Sequence, residues 1–232
     1  MQKLTVLFCL FLYITLTSSD CNKKKTTPPP VAETINYQPD GAGSEWNYTT
    51  TGTTGTGAVN TAYKLTATSR DSSTGVRAYR VFTNSSGPNE YYNKTGNDYF
   101  RISFFPGLNQ SVELLHLKDN AAVGTSWQES KTVNTNVTGF GVVPITVNTT
   151  FTISEKGINY SVNGVSFTNV IKVTATIAIN AFGSTVPVDP STAITYYYAN
   201  KVGMINNKVV VKVPLASIDV NTETKLGAYT IK

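Results

Sequence analysis

Thr, Val, Ile, Tyr and Phe alternate with polar residues along most of the chain, in short runs broken by Gly, Asn, Asp and Pro. That period of two is the pattern of strands buried on one face. In Ile145-Thr146-Val147-Asn148-Thr149-Thr150-Phe151-Thr152-Ile153, the residues Ile145, Val147, Phe151 and Ile153 fall on one face and Thr146, Asn148, Thr150 and Thr152 on the other. Val173, Ala175, Ile177 and Ile179 alternate in the same way with Lys172, Thr174, Thr176 and Asn180, and Tyr63, Leu65 and Ala67 with Lys64, Thr66 and Thr68. One-sided burial predicts an antiparallel sheet. No segment carries a helical stripe. Asn163-Gly164 has the composition of a type I′ hairpin turn, in which both central residues need positive φ. Asn206-Asn207 is a weaker signal of the same kind, Gly52, Gly55 and Gly57 among threonines read as a loose loop, and Pro187 to Pro190 as a connection. Hairpins in succession make a meander.

The N-terminus breaks the pattern. Lys3 precedes an apolar run from Leu4 to Leu16, about 13 residues where a spanning helix needs roughly 20, so residues 1–20 read as a signal peptide. Thr17, Ser18, Ser19 and Asp20 then lead to Cys21, an arrangement that resembles the bacterial lipoprotein box and its lipid-modified cysteine. Asp20 stands where that box usually has Gly, Ala or Ser, and the alternative is a secreted protein cleaved near Ser18 or Ser19. Residues 21–36, with Lys23-Lys24-Lys25 and Pro28-Pro29-Pro30, are too polar to bury a core and read as an extended tether. The expectation is membrane attachment through acyl chains on Cys21, each buried methylene being worth about 0.8 kcal/mol.

Residues 37–232 then form a single β domain of a size that needs no division. The chain has 2 Cys, Cys9 in the apolar run and Cys21, so the domain has no thiol for a disulfide or a thiolate metal site. The formal net charge is +5, but charged residues are only 14% of the chain and the basic ones beyond the tether are scattered. That is too dilute for a nucleic-acid footprint. Asn47, Asn93, Asn136 and Asn148 open N-x-Thr sequons, which chance explains in a chain this rich in Asn and Thr.

Two stretches echo each other, Gly43-Ser44-Glu45-Trp46 and Gly124-Thr125-Ser126-Trp127, and they hold both tryptophans of the chain. A glycine turn followed by an indole that closes one end of the core accounts for both; sugar-stacking tryptophans are the alternative. Further aromatics gather at Tyr91-Tyr92, Tyr99-Phe100, Phe104-Phe105 and Tyr196-Tyr197-Tyr198. Adjacent residues on a strand point to opposite faces, so one ring of each pair can enter the core while the other faces out.

Gly43-Ser44-Glu45-Trp46-Asn47-Tyr48, Val123-Gly124-Thr125-Ser126-Trp127, Tyr197-Tyr198-Ala199-Asn200-Lys201-Val202-Gly203-Met204-Ile205 and Leu226-Gly227-Ala228-Tyr229-Thr230-Ile231-Lys232 follow in that order. Together they resemble the lipoproteins of uncharacterised function common in Bacteroidota. That resemblance implies an antiparallel meander sheet strongly curved into a half-barrel or open barrel, with a β-sandwich as the alternative, and supplies no catalytic residues.

Chemistry is sparse. His116 is the only histidine and has no neighbouring Cys or second His, so a satisfied or surface imidazole is favoured over a metal ligand or general base. There is no G-x-S-x-G elbow, H-E-x-x-H pair or phosphate-cradling glycine loop. Glu45, Asp98, Glu113 and Glu129 could supply the two carboxylates of a glycan-acting hydrolase. The primary expectation is a lipid-anchored outer-membrane protein without catalytic residues or cofactor, a binding or envelope-structural module whose partner is a hydrophobic, glycan or protein ligand and not nucleic acid.

Overall fold

The computed structural model describes residues 35–74, 77–105, 110–137 and 141–232. The signal peptide, Cys21 and nearly all of the tether lie outside the described residues. Thirteen strands follow one another: β1 (Glu45–Thr54), β2 (Gly57–Thr74), β3 (Arg77–Asn84), β4 (Glu90–Thr95), β5 (Asp98–Phe105), β6 (Gln110–Lys118), β7 (Ser126–Val137), β8 (Gly141–Val162), β9 (Val165–Ala181), β10 (Ser184–Val186), β11 (Ala193–Ala199), β12 (Gly203–Val213) and β13 (Ile218–Thr230). A short 3-10 turn, Pro214–Ala216, separates the last two. Among the described residues no helix is long and apolar enough to cross a membrane.

Every pairing is antiparallel, in the order β6-β5-β4-β3-β2-β1-β13-β12-β11-β9-β8-β7, with β10 as a spur on β9. The sheet is therefore a meander whose first and last strands also pair, Glu45 with Thr230 through Thr53 with Asn221. It curls into a nearly closed barrel with one unsealed seam, between β6 and β7.

The echoed tryptophan motifs have the same structural job. Gly43 and Gly124 have φ of 83° and 86°, and each motif closes a tight turn, Ser44 N–H bonding Gly41 O and Thr125 N–H bonding Ala122 O. Each then docks on a buried residue of the next strand. Gly43 N–H donates to Ala67 O and Ala67 N–H to Ser44 O; Gly124 N–H donates to Ile153 O and Ile153 N–H to Thr125 O. One motif opens the run β1–β6 and the other opens β7–β13, so the seam stands where symmetry would place a counterpart of the β1–β13 junction.

The registers assign the faces. Trp46, Tyr48, Leu65, Phe82, Tyr92, Phe151, Ile153, Ile171, Val173, Tyr198 and Leu226 form one buried core inside the barrel. A smaller cluster of Tyr79, Phe100, Ile102 and Leu115, with Tyr91 against it, lies on the opposite face. The adjacent aromatics divide as their alternation demands, Tyr92 and Tyr99 in the main core and Tyr91 and Phe100 in the second cluster. The side chains of Phe104 and Phe105 lie outside the described residues.

Asn163 and Gly164 do form the turn, at φ of 49° and 80°. Asn206-Asn207 does not: β12 runs straight through, Asn206 opposite Tyr197 and Lys225 and Asn207 opposite Tyr196 and Thr224. The reversal comes earlier, at Lys201 (φ 63°) and Gly203 (φ 104°). The glycine-threonine loop is also tighter than its composition implies. Gly52 is inside β1 opposite Val59 and Thr222, and only Gly55 and Thr56 form the turn. A Cβ on Gly52 would meet Asn221 O at 2.1 Å, so glycine lets β1 and β13 close.

Candidate functional site

The barrel has two different ends. At one, the tryptophans close the core. Trp46 is 1% exposed and donates its indole N–H to Val202 O at 2.6 Å; Trp127 stacks on Phe151 at 5.6 Å and donates to Leu115 O at 2.8 Å, across the seam. Both serve the core, and neither offers a free face for a sugar. The segment entering β1 is pinned here too: Tyr37 N–H bonds Tyr99 OH, which donates to Asp119.

Toward the other end the inward face mixes aliphatic and polar positions, with Lys131 opposite Val147, Glu129 opposite Thr149, Thr222 opposite Val209 and Thr224 opposite Asn207. Val147 pairs with Ile179 and Thr149 with Ile177 across β8 and β9, Ile194 with Val209 across β11 and β12, and Val211 with Val220 across β12 and β13. All of these apolar side chains are only partly buried, although they share the face of the fully buried Ile153 and Val173. These side chains are less completely packed than Ile153 and Val173, while Val133, Val143, Ala181 and Val213 further along the same face are buried again.

Between the two ends lies a polar floor. Glu90 on β4 and Arg101 on β5 share the inward parity of Tyr92 and Tyr99. Arg101 Nη2 lies 2.9 Å from Glu90 Oε2, with the side chains 22% and 13% exposed. Tyr92 donates its hydroxyl to the same Oε2 at 2.5 Å and its ring lies under the guanidinium at 5.5 Å. Tyr48, stacked on Tyr63 at 5.3 Å, donates to Met204 O, and Tyr196 stacks on Tyr198 at 6.0 Å. Burial raises the Tyr48, Tyr92, Tyr196 and Tyr198 phenols above their ordinary value and pushes Tyr63 up to about 12. Burial alone would lower Arg101, but Glu90 and the surrounding phenols hold it well above its usual value. The floor is a charge-balanced ion pair in a ring of neutral phenols.

His116 sits behind that floor. It is 4% exposed, its Nδ1 is 2.9 Å from Tyr198 OH, and burial together with the Arg101 charge pushes its imidazole down to about 3. A neutral core imidazole is the reading this supports, and Nε2 has no partner among the described residues.

The four carboxylates picked out in the sequence are dispersed. Glu45 pairs with Lys64 at 2.9 Å on the exposed face, Glu113 with Arg77 at 2.6 Å over the second cluster, and Glu129 with Lys131 at 3.5 Å on the inward face of β7. Asp98 opens β5 opposite Thr95 and Lys118. No group of three or more His, Cys, Asp and Glu able to hold a metal occurs among the described residues. Sequence reasoning missed Glu90 and Arg101. The available signal was parity, since each is two residues from a core tyrosine.

No protein-family model matches the chain, and no curated protein matches it. Among solved structures, it is similar to the crystal structure of a candidate lipoprotein from Parabacteroides distasonis, at 13% identity and a TM-score of 0.47, over 85% of this chain and 100% of that one.

Proposed function

We propose that this protein is a lipid-anchored envelope protein, tethered through Cys21, that binds an apolar or amphipathic ligand against the partly exposed aliphatic stretch of its inner wall and performs no chemistry on it. The observation that carries the reading is the run of inward-facing aliphatic side chains that remain partly exposed beside a fully packed core. Buried apolar area is the driving force such a wall offers, at about 25 cal/mol per Å². The apolar leader, the box-like residues before Cys21 and the Lys- and Pro-rich tether support the proposed attachment at the outer membrane.

Thermal-shift screening of the soluble domain against acyl lipids, glycans and peptides tests the binding role. Acyl compounds should raise the melting temperature, and an Ile177→Trp variant, which adds bulk to the partly exposed inner wall, should abolish the shift without unfolding the protein. No response to any acyl compound would reject the reading. For the anchor, metabolic labelling with a fatty-acid probe should mark the wild type and not Cys21→Ser.

A further inference from the structure

We infer that the end of the barrel where the tether enters is a membrane-contact face, resting Ile35, Val165, Tyr229 and Ile231 in the headgroup region of the bilayer that holds Cys21. This rests on the lipid anchor proposed above and adds to it a surface and an orientation.

Three observations carry the inference. First, among the described residues the exposed large apolar side chains gather at the two ends of the barrel and not on its wall. Ile35, Val123, Val165, Tyr229 and Ile231, between 36% and 58% exposed, are at the tether end; Phe182 and Leu215 are among those at the other. Second, the tether end is a fixed surface. The β8–β9 turn that carries Val165 is bound to β13 by the Asn163 amide, which donates to Leu226 O at 2.9 Å, and the Phe167 ring lies 6.2 Å from that of Tyr229. Lys232 N–H donates to Ser44 Oγ, which seats Ile231 beside the entering segment. Ile35 is held where that segment begins: its carbonyl accepts from Lys94 Nζ at 2.8 Å, and Asn36 O accepts from Lys201 N–H at 2.6 Å. Apolar groups with a tyrosine among them suit the boundary between acyl chains and headgroups. Exposed Lys201, with Lys23, Lys24 and Lys25 on the tether, outweighs exposed Asp40 in favour of anionic lipid. Third, the reach is short. About 14 residues lead from Cys21 to Ile35, spanning roughly 20 Å as a coil and about 43 Å as a polyproline helix. Tyr37 donates to Asn169 O at the tether end of β9, and Phe182 stands about 13 residues beyond Asn169, roughly 40 Å further along the strand. The tether end therefore meets the bilayer at the higher effective concentration.

The test uses the full chain, expressed with its lipid and reconstituted in vesicles of phosphatidylethanolamine and phosphatidylglycerol, with and without a headgroup spin-labelled lipid. Once Cys21 is lipidated and the leader with Cys9 is removed, the chain has no other thiol. Val165→Cys, Ile231→Cys, Phe182→Cys and Leu215→Cys can then each carry a single NBD fluorophore. All four positions are exposed, so each variant should fold, and two positions at each end keep the comparison if one does not. Spin-labelled lipid should quench the fluorophore by about half or more in Val165→Cys and Ile231→Cys and by less than about a tenth in Phe182→Cys and Leu215→Cys, since a contact face sits within a few ångströms of the headgroups. Quenching at the far end, at both ends alike or at no position on vesicle-bound protein overturns the contact face and leaves the anchor standing. Protein that stays off the vesicles and carries no lipid by mass spectrometry rejects the anchor, and the orientation with it.

Discussion

Trp127→Phe tests how the barrel is held together at its open seam. Among the described residues no strand ladder joins β6 to β7, and the indole bond from Trp127 to Leu115 O is a direct link between them. Phenylalanine keeps the stack on Phe151 but removes the donor. A lost hydrogen bond costs about 0.5–1.5 kcal/mol net, and with some lost ring area the loss of stability should be about 1–2 kcal/mol. For a domain of this size that corresponds to a fall in melting temperature of roughly 3–6 °C. Trp46→Phe removes the corresponding bond to Val202 O inside the sealed half and should cost at least as much globally. The two variants should differ in where the protein loosens. Native-state hydrogen exchange should accelerate selectively in β6 and β7 for Trp127→Phe and not for Trp46→Phe. If Trp127→Phe leaves exchange in β6 and β7 no faster relative to β1 and β13 than in the wild type, the indole is not what holds the seam.

Acid should destabilise the fold through His116. Its folded pKa of about 3 lies below its ordinary 6.5, so the unfolded chain takes up the proton first. Its contribution is complete above pH 6.5 and is lost as the pH falls toward 3, by up to about 4–5 kcal/mol. Urea titrations from pH 7 to 4 should show a slope that His116→Phe flattens. Gly52→Ala should cost several kcal/mol, because its Cβ would strike Asn221 O and its φ is 138°. Gly164→Ala, with φ of 80° and open space, should cost only about 1 kcal/mol, as expected for strain at a left-handed position; equal losses in urea melts would contradict the close-approach argument.

What the sequence reveals about this fold is local. Ile145 to Ile153 shows its buried and exposed faces because alternation is written into neighbouring residues, and Asn163-Gly164 shows its turn because φ preference belongs to the residue itself. Asn206-Asn207 misleads for the converse reason. Asn206 is buried in a strand because its amide reaches Tyr160 on β8 and Glu223 on the adjacent β13, partners that no local window contains. The inward ion pair is hidden in the same way: Glu90 and Arg101 look like scattered surface charges until curvature turns their face inward and the β4–β5 register sets them together. His116 was legible only as a residue without metal-binding neighbours, and its burial depends on β11 packing across the barrel.

The pairing of β1 with β13 also governs how the protein must come into being. Thr49 meets Lys225 and Glu45 meets Thr230, contacts that cannot form until nearly the whole described chain is present. Loop-closure entropy must be met before those contacts return anything, so the final closure should be slow, and until then β1 presents an unpaired edge. A chain that leaves the cytoplasm through an export channel is delivered unfolded and in sequence order. For such a chain, delayed closure keeps the early strands from locking into a barrel before the last one has crossed.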